Sequence, residues 1–146
     1  MFPSALLVLL GSAFVAPQMI DFFEGCVPMG QEQDPGGCVL APESWLSMST
    51  FRRYAQLALA NAHIQPDEGH LNTLLELTRI ATERTDGFTI ILEFTTVKST
   101  CDSSVAYSED QCRPLYSKAN GLCQAVIRNR DVMRFEDAWC VPLFED

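Results

Sequence analysis

Between Met48 and Ala62 the hydrophobic residues Met48, Phe51, Ala55, Ala58, Leu59 and Ala62 recur at steps of three and four, the spacing of one face of an α-helix. Ser47 or Ser49 is placed to cap it, and the pattern predicts a single amphipathic helix of about four turns. Ile64 to Gly69 contains Pro66 and Gly69 and predicts an exit loop, with His63 and His70 as ordinary residues around the helix end. Beyond it the period changes. Leu71 to Arg84 and Phe88 to Lys98 are rich in Thr, Ile, Leu, Val and Phe, and Phe88, Ile90, Leu92, Phe94 and Thr96 fall on one face of an extended strand. Thr85-Asp86-Gly87 between them predicts a hairpin turn, because glycine accepts positive φ without a Cβ clash. Leu122 to Arg128 and Arg134 to Val141 predict two further strands joined at Asn129-Arg130-Asp131. The order predicts an α+β fold, one long helix packed on a four- to five-stranded antiparallel sheet. Phe14 to Pro35, broken by Pro28, Gly30 and Pro35, reads as an irregular arm.

The length of 146 residues and 47% hydrophobic content suit one domain. Ten Lys plus Arg against nineteen Asp plus Glu give a net charge of −9, which repels phosphate backbones and anionic membrane surfaces. Neither nucleic acid nor a membrane is an expected partner. Ala5 to Leu10 form an apolar run followed by Gly11-Ser12-Ala13, the arrangement of a signal peptide over residues 1–13 with cleavage after Ala13. A membrane anchor needs roughly 20 apolar residues, and Gln18, Asp21 and Glu24 arrive too soon. The expected location is therefore secreted and extracellular.

Six cysteines in an oxidising compartment suit three disulfides. The count alone permits fifteen pairings. Nearest-neighbour pairing joins Cys26 to Cys38, Cys101 to Cys112 and Cys123 to Cys140, each closing a short loop worth about 3 kcal/mol in the chain-entropy model. No two cysteines stand closer than eleven positions, so the close ligand pairs of a zinc site are missing and no metal or other cofactor is expected. No paired acids, triad or phosphate loop can be assembled, and an enzyme is not expected.

The frame Cys101-x10-Cys112-x10-Cys123-x16-Cys140, placed after a helix and two hairpin strands, resembles that of secreted type-2 cystatins. Ser99-Thr100-Cys101, Tyr107 to Cys112, the Leu74 to Arg79 strand and the paired Gly36-Gly37 are similar to arthropod salivary cystatins. The resemblance implies a cystatin-like domain over 36–146 following the arm of 14–35. It also implies a monomeric, non-covalent inhibitor of papain-like cysteine proteases, acting through a wedge of three edges. Residue by residue, the edges fall at Gly36-Gly37, at Glu83-Arg84-Thr85-Asp86-Gly87 where the family reads Gln-x-Val-x-Gly, and at Asn129-Arg130-Asp131-Val132 where it carries Pro-Trp. Only the glycine of the first hairpin matches, and charges carried into a buried cleft must be desolvated, so weakened inhibition is expected. Trp139, beside Cys140, is assigned to the core. The family's asparaginyl-protease loop falls at Pro66-Asp67-Glu68 and lacks its Asn.

Two other readings compete with inhibition. The altered hairpins, with Glu83, Arg84, Asp86, Arg128, Arg130 and Asp131, suit a non-inhibitory binding module with a polar interface. A cathelicidin-like precursor would share the cysteine frame, but only Val141 to Asp146 follow Cys140 and none of them is basic. Peptide mapping without reduction is expected to recover the pairs Cys26–Cys38, Cys101–Cys112 and Cys123–Cys140. A free thiol, or Cys26 joined to any of the four distal cysteines, would overturn the pairing.

Overall fold

A computed structural model describes residues 19–31, 37–61, 63–84 and 87–143. The leader 1–13 with its Ala13 cleavage site, and Gly36, Ala62, Thr85 and Asp86, lie outside the described residues. The strands are β1 (Val27–Pro28), β2 (Cys38–Leu40), β3 (His70–Glu83), β4 (Phe88–Asp102), β5 (Gly121–Asn129) and β6 (Met133–Pro142), and the helix is α1 (Ser49–Asn61).

The strands form one sheet in the order β1-β2-β3-β4-β5-β6, antiparallel except for β1 against β2. The expected four or five strands are therefore six, because Val27-Pro28 inside the arm adds a parallel edge opposite Val39-Leu40. Cys26, immediately before β1, is bonded to Cys38, the first residue of β2, and the bond holds that short pairing together.

A 3-10 turn, Glu43–Ser47, leads into α1. Neither serine caps the helix: the Ser47 hydroxyl donates to the Ser44 carbonyl, Ser49 is already helical, and the Met48 carbonyl receives the Phe51 and Arg52 N–H groups. At the other end the Gln65 side chain donates to the Leu59 and Asn72 carbonyls and accepts from the Asn72 N–H. It thereby satisfies a helix-terminal carbonyl and fixes where β3 begins.

Phe51, Ala55, Ala58 and Leu59 face the sheet from α1 and pack against Leu74, Leu77, Ile80, Ile90, Leu92, Phe94, Ala125 and Ile127. The two alanines let the helix approach closely, and each fully buried Leu, Ile or Phe contributes about 1.5–3 kcal/mol. In β3 the core residues Leu74, Leu77 and Ile80 are spaced by three. Register shifts between Leu74 and Glu76 and between Leu77 and Arg79 absorb the extra residues and curl the strand around the helix.

Cys101–Cys112 ties the end of β4 to the following loop, and Cys123–Cys140 joins directly opposed residues of β5 and β6. Phe94 is fully buried at the centre of the helix-side core. Phe94→Ala is expected to lower unfolding stability by about 3–5 kcal/mol in thermal or denaturant melts.

Candidate functional site

The sheet register gathers three separated segments at the end of the molecule nearest the start of α1. Cys38 pairs with Glu83, so the exposed Gly37 sits beside the end of β3. Glu83 and Phe88 flank the first hairpin, and Phe88 pairs with Asn129, placing the second hairpin alongside the first. Gly87 has φ of 112°, and a Cβ there would lie 2.8 Å from Arg130 Cγ and 3.3 Å from the Asn129 carbonyl oxygen. A glycine is therefore demanded twice, by the turn's handedness and by the approach of its neighbour.

Of the residues singled out from the sequence, Glu83 and Asn129 are half-buried strand ends, while Gly37, Arg84, Gly87, Arg130 and Asp131 are exposed. The Arg84 guanidinium lies 5.8 Å from the centroid of the Phe88 ring. Val132 is 74% exposed and supplies an apolar projection to the second hairpin. Behind that tip Arg128 donates to the Glu136 carboxylate from two nitrogens, at 3.0 and 3.2 Å. Among the described residues, no group of three or more His, Cys, Asp or Glu could hold a metal. The arrangement offers contact surface, with charges at both hairpins.

The arm lies across the face of the sheet opposite the helix. The Ile20 carbonyl accepts from Trp139 Nε1 on β6 at 2.7 Å, and the Phe22 N–H donates to Gln124 Oε1 on β5 at 2.8 Å. Phe23, buried, packs on Ile91 of β4 and Ala81 of β3, and Cys26 is bonded to Cys38 on β2. Trp139 is consequently not part of the helix-side core. It is half-buried on the far face, with its ring 6.3 Å from that of Phe22.

Beneath the arm runs the row Arg79, Glu93, Gln124, Trp139, each opposite the next across β3 to β6. Glu93 is only 8% exposed. Its carboxylate accepts from Arg79 Nε at 2.9 Å, Arg79 Nη2 at 2.6 Å, Gln124 Nε2 at 2.9 Å and the Thr78 hydroxyl at 2.9 Å. Gln124 Nε2 also donates to Asp21 on the arm at 3.0 Å, and the Arg79 guanidinium lies 4.3 Å from the centroid of the Phe23 ring.

Burial pushes the Glu93 carboxyl up, but the hydrogen bonds from Arg79, Gln124 and Thr78 outweigh it and hold the group below its ordinary value. The Gln124 hydrogen bond, with the Phe23 N–H and Arg79, lowers the Asp21 carboxyl despite some desolvation. Sequence reading passed over this row, although Glu93, an acid inside the apolar run Ile90 to Phe94, was a visible signal.

Both carboxyls are depressed in the folded protein, so they stabilise arm docking above the unfolded carboxylate range. That contribution is lost as pH falls through their folded values, below about pH 4. In a Trp45→Phe background, which leaves Trp139 as the emitter, a fluorescence change is expected over that acid window while the far-ultraviolet circular dichroism of the sheet persists. Glu93→Gln should remove most of the transition. Gly87→Ala is expected to destabilise by about 1–3 kcal/mol through backbone strain and the clash with Arg130, measured in denaturant melts.

No family model matches the chain. Mialostatin from Ixodes ricinus is 35% identical over 60 residues, a match spanning 40% of this chain and 43% of that protein's length. The crystal structure of mialostatin, a gut cystatin from that hard tick, superposes with a TM-score of 0.62 at 25% identity, covering 74% of this chain and 100% of the other. The salivary cystatin of the soft tick Ornithodoros moubata gives 0.61 at 20% identity over 74% of this chain and 99% of its own. Dimeric human cystatin F, at 12% identity and a TM-score of 0.58, shares the fold. With the helix laid across this sheet, its three disulfides and these solved structures in agreement, the chain has the cystatin fold.

Proposed function

We propose that the protein is a secreted, monomeric, non-covalent inhibitor of papain-like cysteine proteases whose affinity is weakened by the charges on its hairpins. The observation that carries this reading is the convergence of Gly37, the Glu83–Gly87 turn and the Asn129–Val132 turn on one end of the sheet. Such an end plugs a cleft by shape and makes or breaks no bond. The same reading takes residues 1–13 as a leader removed after Ala13, 14–35 as the arm and 36–146 as the inhibitory domain.

Weakening follows from desolvation. Glu83, Arg84 and Asp86 belong to the first hairpin, and a charge buried without a partner costs a few kcal/mol. The second hairpin offers Val132 in place of a flat aromatic, which reduces the apolar area available to anchor it.

The strapped arm favours a second reading. Residues 19–26 run over the far face and end at the Cys26–Cys38 bond, so this stretch is pinned to the sheet rather than free to enter a cleft. A cystatin-fold module that binds a different protein through those hairpins uses the same surface without needing a free arm.

Titrating the oxidised protein against a panel of papain-like proteases separates the two readings. Nanomolar inhibition supports the inhibitor, whereas silence at high micromolar concentration leaves the binding module. If hairpin charge is what limits inhibition, the triple variant Glu83→Gln, Thr85→Val, Asp86→Ala should inhibit papain at least tenfold better, about 1.4 kcal/mol. An unchanged constant in a variant folded by circular dichroism would move the defect to the arm or the second hairpin.

A further inference from the structure

Strand β6 ends the sheet order, so among the described residues one of its edges has no strand beside it. That edge is closed in part. The Asp137 carboxylate accepts the Ala138 N–H at 2.8 Å. A charged side chain on an edge backbone donor is one way sheets avoid unwanted pairing. Near the second hairpin the same strand is different.

From Met133 to Phe135 the side chains alternate. Phe135 packs into the helix-side core, and Met133 lines a groove of about 400 Å3 that also includes Tyr54 and Leu57 of α1. Arg134 stands on the opposite face, directly across from Arg128. Like charges opposed across a strand pair are destabilising, and Glu136 at 3.0 Å compensates Arg128. On this side lies a second open groove of about 640 Å3, whose lining includes Arg128, Arg130, Arg134 and Val132. Asp131 and Glu136 are the acids there. Three of the chain's ten cations thus collect around one groove in a protein of net charge −9.

We infer that the edge of β6 at Met133–Phe135 is a docking surface for an extended protein segment with alternating apolar and acidic side chains. The inference rests on the reading of this end as a contact surface and names the chemistry of what meets it. A strand added to the edge would gain main-chain hydrogen bonds. Its apolar residues would lie on the Met133, Tyr54 and Leu57 side, and its carboxylates would meet Arg134, offsetting its repulsion with Arg128. A basic segment would add to the repulsion, and an apolar one would leave the charge of Arg134 unmatched.

The test uses an N-acetylated, fluorescein-labelled octapeptide of alternating glutamate and valine, titrated by anisotropy against the oxidised full chain. Backbone amide shifts are followed in parallel. Binding that weakens with added salt, with shifts centred on Arg128 to Glu136, is expected. Arg134→Glu sets opposite charges across from Arg128, so it does not threaten the fold. It should weaken the glutamate peptide at least tenfold and improve binding of the matching lysine peptide.

The proposal is overturned if the glutamate peptide does not bind at millimolar concentration, if Arg134→Glu leaves affinity unchanged, or if the shifts map elsewhere. It is equally overturned if a sulfated oligosaccharide binds through these arginines while the peptide does not. Papain inhibition measured on the same samples keeps the two readings apart, because peptide docking without inhibition removes only the inhibitor reading, and inhibition without docking removes only this one.

Discussion

Strand β4 is buried on both faces, and the rest of the molecule is arranged to achieve this. Ile90, Leu92 and Phe94 point into the core beneath α1, while Ile91 and Glu93 point the other way and are buried too. One helix can cover only one face of a sheet, so the far face would stand in water without a second cover. The arm supplies it with Phe22 and Phe23 over Val126, Ile91 and Ala81. Burying Glu93 under that cover is tolerable only because four hydrogen bonds reach its carboxylate. Arg79, Gln124 and Asp21 are therefore parts of one polar junction, and losing any of them leaves the others underserved.

The helix and the long strands were legible because their signals are local. The three-and-four spacing of Phe51, Ala55, Ala58 and Leu59, and the alternation from Phe88 to Thr96, each describe one face of one element. The cysteine spacing, together with its family resemblance, reached further, and the three expected pairs are present. What escaped was set by distant pairings. Val27-Pro28 has no strand pattern of its own and becomes β1 only because Cys26 is bonded beside β2. Trp139 looked like core because it neighbours Cys140. In a strand, however, successive side chains take opposite faces, and Trp139 faces the arm. The assembly of the two hairpins was implied by the resemblance, but the closeness of Gly87 to Arg130 needed the register of β4 against β5.

Charge is distributed with the same logic as burial. Under the arm the buried Glu93 carboxylate receives four hydrogen bonds, two of them from the half-exposed Arg79, whereas the Arg128–Glu136 pair near the second hairpin is exposed and contributes about 1 kcal/mol or less. The first specifies where the arm lies. The second leaves its end of the sheet adaptable, since exposed side chains can change partner at little cost.

The arm's anchors are remote in sequence: Phe22 to Gln124 spans 102 positions and Ile20 to Trp139 spans 119. The Cys26–Cys38 bond spans only 12. During synthesis the arm leaves the ribosome before β5 and β6 exist, so Phe22 and Phe23 wait uncovered until nearly the whole chain has emerged. The short disulfide loop can close long before then, once Cys38 is out. It holds the waiting aromatic segment next to the strand that will become β2, shortening the search left to the arm and limiting its chance of meeting another nascent chain.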